Sequence, residues 1–172
     1  LTPNDPMMIA PEAEDGPRHY RFHPSKELMY VSNEQGGSVT VYAIDGANGT
    51  LTAGQTVSTL PADYSGHISC SQVQIHPLGT HLYVPNRGHN TIASFAIDED
   101  SGSLTATGWT EVEPVPRAFS LDPTGHFLYV TGLETGNMTA FRVDQQSGTL
   151  TRLETYAVGA LPMWVSFADL PG

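Results

Sequence analysis

The sequence predicts an all-β fold, part of a β-propeller made of four-stranded antiparallel blades. The first observation behind this prediction is a unit of about 46 residues that occurs three times. The second is that each copy contains four short strand-like runs separated by turn residues, without a helical period. Four strands in about 40–50 residues are typical of a propeller blade, whereas sandwiches and barrels lack this periodicity.

The repeat is visible as three aligned segments whose anchor residues step together. Pro24, Pro77 and Pro123 are 53 and 46 residues apart, and an aligned tyrosine, aspartate and leucine in each copy keep the same spacing. The longer step indicates a seven-residue insertion after the first copy. The aligned segments are RFHPSKELMYVSNEQGGSVTVYAIDGANGTL (21–51), QIHPLGTHLYVPNRGHNTIASFAIDEDSGSL (74–104) and SLDPTGHFLYVTGLETGNMTAFRVDQQSGTL (120–150).

Each unit predicts its four strands in order. The first strand ends at His-Pro or Asp-Pro, which is typical of a tight reversal. The second is the β-branched and aromatic run LMYV, HLYV or FLYV, and the third is SVTVYAI, TIASFAI or NMTAFRV. The third run ends in Asp-x-x-x-Gly, and the fourth strand begins at the leucine beyond it. The third run has apolar residues on both faces, which is expected where each blade packs between two neighbours.

The repeat also divides the chain. We assign residues 1–15 to the end of a preceding blade, 163–172 to a terminal strand, and the rest to three blades and one insertion: 16–61, 62–70 (the insertion), 71–116 and 117–162. Three blades cannot close a ring of typically about 4–8 blades. We therefore expect either a longer protein or copies assembled around an axis. The N-terminal LTPNDPMMIA, with no initiator methionine or signal-peptide pattern, favours the longer protein.

The amino-acid composition argues against two classes of binding partner. The 172 residues include 18 acidic and 7 basic side chains, a net charge of −11, which argues against nucleic acid and anionic membrane surfaces because both require a basic footprint. No run of 18 apolar residues predicts a membrane-spanning helix. Cys70 is the only cysteine, so no disulfide forms within the chain, and we expect a cytoplasmic protein.

Four charged residues are expected on one face of the disc. In antiparallel blades, the turns between second and third strands emerge on the same face as the links between blades. The unusual turns GPRH, SNEQGG, NRGHN and VPRAF belong to that face, and they carry Arg18, Glu34, Arg87 and Arg117. Arg18 and Arg117 belong to first strands, which line the central channel, so we expect them near its mouth.

Such an arginine cluster suits a carboxylate or phosphate, because the planar guanidinium makes bidentate, charge-assisted hydrogen bonds. Glu34 beside the arginines is a candidate base or orienting acceptor. Each arginine could instead tie carbonyls of neighbouring blades together, and Glu34 could be only a salt-bridge partner. His19 and His89 flank the arginines as candidate ligands, acid–base groups or loop hydrogen-bonders. No spacing resembles a zinc or calcium site, and we expect no metal and no other cofactor.

Four other histidines are assigned to the fold. His23 and His76 precede the turn prolines on the opposite face and are interpreted as structural. His81 and His126 follow that turn and are interpreted as surface residues.

A series of motifs carries a resemblance to a known family: GPRHYRFHP, YVSNEQGGSVTVY, LYVPNRGHNTIASFAI, VPRAFSLDPTG and YAVGALPMWVSF. In this order they resemble the C-terminal half of the seven-bladed β-propeller lactonases, closest to the bacterial 6-phosphogluconolactonases. The resemblance runs from about residue 11 to the end of the chain. It implies about three and a half blades of a seven-bladed ring, the N-terminal half being missing. It also implies that the strand at 163–172 closes the ring with that half.

The resemblance implies metal-free hydrolysis of 6-phosphoglucono-1,5-lactone to 6-phosphogluconate in the pentose phosphate pathway. A fungal relative is a muconolactone-forming cyclase whose proposed site uses arginines, a glutamate and a histidine. By motif, the arginines and the glutamate correspond to Arg18, Arg87 and Glu34, and the histidine would lie upstream. The chain departs from the family at Gln72, where an acidic residue is common, so a role for that carboxylate is in doubt.

These parallels assign roles to the site residues. Glu34 would activate a water as general base, and Arg18 or Arg87 would stabilise the oxyanion. The phosphate or sugar hydroxyls of the small anionic lactone would be held by Arg117, His89 and His19. The sequence also allows Arg18 or Arg87 to exchange functions with Arg117.

Two alternatives remain open. The substrate could be another sugar-acid or muconate lactone, or the propeller could bind a protein or glycan without catalysis, since propellers host many unrelated functions. We expect the segment alone to be inactive and to associate, because an open half-propeller exposes a blade face and unpaired strand edges.

Overall fold

The structure, a computed structural model that describes residues 3–168, contains three four-stranded antiparallel sheets and no helix in that part of the chain. Each sheet is a meander in which sequential strands are neighbours. Blade 1 consists of β1 (Pro17–Phe22), β2 (Leu28–Asn33), β3 (Ser38–Asp45) and β4 (Thr50–Ser58). Blade 2 consists of β5 (Gln74–Ile75), β6 (His81–Asn86), β7 (Thr91–Ile97) and β8 (Leu104–Glu111). Blade 3 consists of β9 (Pro116–Leu121), β10 (Phe127–Gly132), β11 (Asn137–Val143) and β12 (Leu150–Ala157). The predicted all-β propeller fold is confirmed.

The middle blade is buried on both faces, and its second and third strands are almost wholly buried. Side chains alternate between the faces of a strand. Leu82 and Val84 of β6 pack toward blade 1, in a cluster with Tyr30 and its neighbours. Tyr83, which lies between them, packs instead in the cluster of blade 3. The blades are therefore stacked face to face, with one apolar layer between each pair.

Repeat-equivalent hydrogen bonds join neighbouring blades. The hydroxyl of Tyr30 donates to the carbonyl of Gly102 at 2.8 Å, and that of Tyr83 donates to Gly148 at 2.9 Å. Both glycines close an Asp-x-x-x-Gly turn and have φ of +72° and +69°, which only glycine adopts without strain. Tyr129, the third member of the series, packs its ring against Phe167, with the centroids 5.5 Å apart.

Histidines at the His-Pro turns also join blades, which agrees with the structural role predicted for His23 and His76. His23 Nδ1 accepts from the Ser25 amide, and its Nε2 lies 3.2 Å from the carbonyl of Gly79 in blade 2. His81, in contrast, is not a surface residue as predicted. Its ring is only 5% exposed because Gly148 of blade 3 packs directly on it. The buried position depends on the neighbouring blade, which local sequence does not reveal.

Both ends of the described chain lie outside the sheets. Residues 3–15 form no strand, and their Ile9 packs on Met29, Val31 and Tyr42 of blade 1. A cavity of about 380 Å³ remains between this segment and the blade, lined mainly by apolar side chains. Residues 163–168 are described without a strand, and 169–172 lie outside the described residues, so the terminal strand stays a prediction.

The start of that last segment nevertheless has the backbone conformation found just before the first strand of blade 3. Leu161, which precedes Pro162, has a φ of +54°, the same value as Val115 before Pro116. The Pro162 carbonyl lies 3.5 Å from the Thr131 hydroxyl of blade 3. Within residues 3–168 the structure has no helix long and apolar enough to cross a membrane.

Candidate active site

Glu34 and Arg87 occupy the same position of the repeat, the first residue after the second strand of a blade. In blade 3 this position holds Leu133. The backbone amides of Glu34, Arg87 and Leu133 each donate to a residue just before the first strand of the same blade, or at the equivalent position, at 2.8, 2.8 and 3.1 Å. The acceptors are the carbonyls of Gly16, Ser69 and Val115, respectively. The same backbone geometry therefore holds both charged residues at the channel end of neighbouring blades.

Arg18 and Arg117 share a second position, a bulge in the first strand. In blade 1, Pro17 pairs with Asn33 and His19 with Ser32, so Arg18 is the extra residue. Blade 3 has the corresponding shift at Arg117, between the paired residues Pro116 and Ala118. A bulge bends the strand and re-aims the extra side chain, a device common beside active sites.

The carboxylate of Glu34 bridges two guanidinium groups from different blades. Arg18 Nε lies 2.8 Å from Glu34 Oε2, and Arg87 Nη2 contacts Glu34 Oε1. The Glu34 side chain is 33% exposed and the two arginines are 19% and 14% exposed. Each carboxylate oxygen has a second lone pair, so Glu34 can accept from a water or substrate hydroxyl while both ion pairs persist.

Two donors of this cluster are unused within residues 3–168. Arg18 Nη1 and Arg87 Nε are buried and have no hydrogen-bond partner among the described residues. Unpaired buried donors cost about 1–3 kcal/mol and are rare in native proteins. Both guanidinium groups therefore retain a donor that the described residues do not use.

The cluster is locally positive although the whole chain is acidic. Burial lowers the pKa of Arg18; the Glu34 carboxylate raises it, and the charges of Arg87 and Arg117 lower it again. The repulsion among three guanidinium groups, with one carboxylate between them, favours a second negative charge beside Glu34. The structure thus brings together Arg18, Glu34 and Arg87. Arg117 makes no ion pair or side-chain hydrogen bond with them among the described residues, and its place in the site stays a prediction.

The two candidate histidines are placed differently. The pKa of His19 is lowered, first by burial and then by Arg18 and Arg21, so its imidazole is neutral at pH 7. His89 bonds Thr91 Oγ1 at 2.8 Å and packs edge-to-face on Tyr64, with ring centroids 4.7 Å apart. Within residues 3–168 no hydrogen bond joins either histidine to the Glu34 cluster, so their substrate-binding roles stay predictions.

Cys70 lies beside the cluster but is not a nucleophile. Burial, followed by the charge of Glu34, raises the pKa of its thiol to about 12, so the thiol is protonated at neutral pH. Its Sγ contacts the Asn33 carbonyl at 3.1 Å, and its amide donates to the Glu34 carbonyl at 3.2 Å. Cys70 therefore supports the backbone beneath Glu34.

Sequence reasoning missed Ser69, whose Oγ lies 2.6 Å from Arg87 Nη2. The insertion at 62–70 has no counterpart in the other copies, so Ser69 was not aligned with them. Counting back from the turn prolines would have placed it at the position of Gly16 and Val115. In the described part of the chain, 3–168, no group of three or more His, Cys, Asp or Glu side chains is arranged to hold a metal ion.

Comparison with known proteins agrees with the fold. The family model "Lactonase, 7-bladed beta-propeller" matches residues 1–167. The chain is 39% identical over 155 residues to a 6-phosphogluconolactonase of Pectobacterium carotovorum, covering 90% of this chain and 47% of that protein. It is 35% identical over 165 residues to the 6-phosphogluconolactonase of Cronobacter sakazakii, covering 96% and 50%.

A solved structure, the periplasmic gluconolactonase of Pseudomonas aeruginosa, superposes with a TM-score of 0.92 at 30% identity, covering 99% of this chain and 47% of that one. The chain thus spans about half the length of the curated relatives it matches. The matches confirm the resemblance inferred from the motifs. The chain belongs to the seven-bladed β-propeller lactonase family.

Proposed function

We propose that this chain supplies the arginine–glutamate centre of a lactonase that hydrolyses 6-phosphoglucono-1,5-lactone to 6-phosphogluconate. The observation that carries the proposal is the Glu34 carboxylate held between Arg18 and Arg87, with an unused buried donor on each arginine. The names of the relatives from Pectobacterium carotovorum and Cronobacter sakazakii support the same substrate.

The proposed reaction adds water across the ester bond of the lactone ring. A water bound to Glu34 attacks the carbonyl carbon while the carboxylate takes its proton, a step that typically contributes about 100- to 10,000-fold. The carbonyl oxygen becomes an oxyanion, which accepts from the free N–H groups of Arg18 or Arg87. Removal of one such donor typically costs about 100- to 1,000-fold in rate.

Collapse of this intermediate opens the ring. The bond between the carbonyl carbon and the ring oxygen breaks, and the ring oxygen takes the proton that Glu34 holds. The products are one carboxylic acid, which ionises at neutral pH, and one sugar hydroxyl. No oxidant, reductant or metal enters this balance, and the Glu34 carboxylate is regenerated.

The rest of the substrate is anionic, and the remaining charges suit it. Arg117 would bind the phosphate, since a guanidinium matches phosphate geometry bidentately. His19, neutral through its lowered pKa, can accept from a sugar hydroxyl. His89 would line the same face from the turn of blade 2. We also propose a cytoplasmic location, within the pentose phosphate pathway, because a phosphorylated sugar does not cross a membrane unaided.

The chain would act as part of a longer propeller. Aromatic residues are exposed at both ends of the stack: Tyr20 at 55% and Phe22 at 58% in blade 1, and Trp164 at 63% in the segment after blade 3. The equivalent faces of the middle blade are buried. We therefore propose that an N-terminal half covers both ends and completes the pocket.

A second substrate deserves a direct comparison, because the superposed structure from Pseudomonas aeruginosa is named a gluconolactonase. Glucono-1,5-lactone differs from the first substrate only in lacking the phosphate. If Arg117 binds phosphate, the phosphorylated lactone should have the higher kcat/KM, and Arg117→Ala should reduce this preference.

The test uses a complete ring, made by fusing this chain to the part of the Pectobacterium carotovorum relative that it does not cover. Freshly generated 6-phosphogluconolactone and gluconolactone are each supplied, and spontaneous ring opening is subtracted. We expect turnover of the phosphorylated lactone that falls at least about 100-fold in Arg18→Ala and persists in the exposed control Glu134→Ala. Equal turnover in Arg18→Ala, or no turnover above background, would contradict the proposal.

A further inference from the structure

The insertion at 62–70 packs against the turn that carries Arg87, and its Ile68 and Cys70 also contact the turn of blade 1 that carries Glu34. Its Ser69 makes two bonds to Arg87. The Ser69 carbonyl accepts from the Arg87 amide at 2.8 Å, and the Ser69 hydroxyl oxygen accepts from Arg87 Nη2 at 2.6 Å. Because the same Nη2 also contacts Glu34, Ser69 fixes the nitrogen that forms the ion pair.

The insertion packs against the turn without space between them. A Cβ added at Gly88 would overlap the carbonyl oxygen of His67, so the two backbones are in direct contact. Tyr64 donates from its hydroxyl to the same His67 carbonyl at 3.2 Å, and its ring packs on His89. The position of Ser69 is therefore set by a rigid contact rather than by a loose loop.

In the other two blades, the residue at the position of Ser69 has no side chain that could hydrogen-bond an arginine. The position of Ser69 is occupied by Gly16 in blade 1 and by Val115 in blade 3, and neither has a polar side chain. Arg18, which forms the opposite ion pair, has Glu34 as its only side-chain partner within residues 3–168. The insertion thus supplies a second anchor to one of the two arginines.

We propose that Ser69 is a positioning residue that holds the Arg87 guanidinium in one orientation, with Nη2 on both Ser69 and Glu34. The insertion is the support for this residue. The orientation itself is a property of the chain, whereas its effect on turnover rests on the proposed lactonase function. A rigid arginine would stabilise the oxyanion without reorganisation at the moment of reaction.

The first measurement is the rotation of the Arg87 guanidinium, observed by nitrogen-15 NMR on the complete ring described above. In the native ring we expect slow rotation and separate Nη signals. Ser69→Ala should accelerate the rotation and merge the signals, and Ser69→Thr, which retains the hydroxyl, should restore them. Ser65→Ala, an exposed serine of the same insertion, is the matched control and should change nothing.

The second measurement is turnover in the complete ring described above. Ser69→Ala should lower kcat about 10- to 100-fold with little change in KM, because misplacement of a catalytic group affects the transition state more than substrate binding. Gly88→Ala, which separates the insertion from the turn, should have the same effect. Circular dichroism verifies that each variant is folded. If Ser69→Ala does not fold, the NMR and turnover measurements on Gly88→Ala decide whether Ser69 positions Arg87.

The outcomes separate this inference from the proposed function. If the native ring hydrolyses no lactone, the proposed function fails, and the NMR experiment still decides the role of Ser69. If the ring is active but the folded Ser69→Ala or Gly88→Ala variant leaves both guanidinium rotation and kcat unchanged, Ser69 is not a positioning residue.

Discussion

At the scale of single residues, the site depends on Glu34 and on how fully its oxygens are engaged. Both carboxylate oxygens contact arginine, from opposite sides and from different blades. This arrangement is compatible with the general base proposed here, since each oxygen can accept one more hydrogen bond. It is equally suited to a carboxylate that only orients the two arginines. The two roles differ in what they require of the side chain. A general base must itself accept a proton from water, whereas an orienting residue only has to accept hydrogen bonds from the two arginines.

Cys70 gives a prediction at the same scale. Because burial raises its pKa to about 12, the thiol should not react with a thiol-specific reagent in the folded chain at pH 7.5. We expect labelling by Ellman's reagent only after addition of denaturant, and Cys70→Ser should leave turnover in the complete ring within about threefold, a small effect for a residue outside the reaction. Rapid labelling of the native chain, accompanied by inactivation, would show that Cys70 is accessible and reactive.

At the scale of elements, the interface between blades 1 and 2 contains a histidine that must be neutral. His23 Nδ1 accepts from the Ser25 amide, so protonation there would break that bond. The pKa of His23 is lowered below its usual 6.5, mainly by burial and also by Lys26, although the Gly79 carbonyl raises it. The unfolded chain therefore binds this proton more strongly than the folded chain, and low pH favours unfolding.

This depression predicts a pH-dependent stability. The contribution of His23 should be fully present above pH 6.5 and be lost as the pH falls from there through the folded-state pKa. In chemical denaturation of the 172-residue chain, His23→Gln should show a smaller loss of unfolding free energy in this range than the native chain. His126→Gln, at an exposed position on an equivalent turn, should follow the native chain. Identical curves for His23→Gln and the native chain would rule out this role for His23.

The elements also show what sequence can and cannot predict. The positions of the strands follow from local spacing, because proline turns and Asp-x-x-x-Gly turns specify reversals within a few residues. The meeting of Arg18, Glu34 and Arg87 follows from strand order alone. The bulge at Arg18 and the bond from Ser69 do not, since they depend on contacts between segments far apart in the chain. The burial of His81 beneath Gly148 was missed for the same reason.

At the scale of the whole molecule, the described blades form a stack with two uncovered ends. The middle blade has buried aromatic residues on both faces, whereas Tyr20 and Phe22 at one end and Trp164 at the other are exposed. Contiguous exposed apolar surface of this kind marks an interface or promotes aggregation. In a closed ring these surfaces would be covered by further blades.

The exposed apolar surface at both ends of the stack predicts how the 172-residue chain behaves by itself. We expect the 172-residue chain to associate with increasing concentration in analytical ultracentrifugation and to bind a hydrophobic dye, since its end faces are apolar. The complete ring made with the Pectobacterium carotovorum segment should sediment as a monomer and bind less dye. A 172-residue chain that remains monomeric and hydrolyses lactone at the rate of the complete ring would contradict the half-propeller interpretation.

The most direct test of the proposed chemistry is the rate of 6-phosphogluconolactone hydrolysis by the complete ring with Glu34→Gln, after subtraction of spontaneous opening. Glutamine preserves the size and hydrogen-bonding reach of Glu34 but cannot take a proton from water. If Glu34 is the general base, kcat falls about 100- to 10,000-fold while the ring stays folded. If kcat remains within a few fold of the native value, Glu34 only orients Arg18 and Arg87, and the base lies elsewhere in the ring.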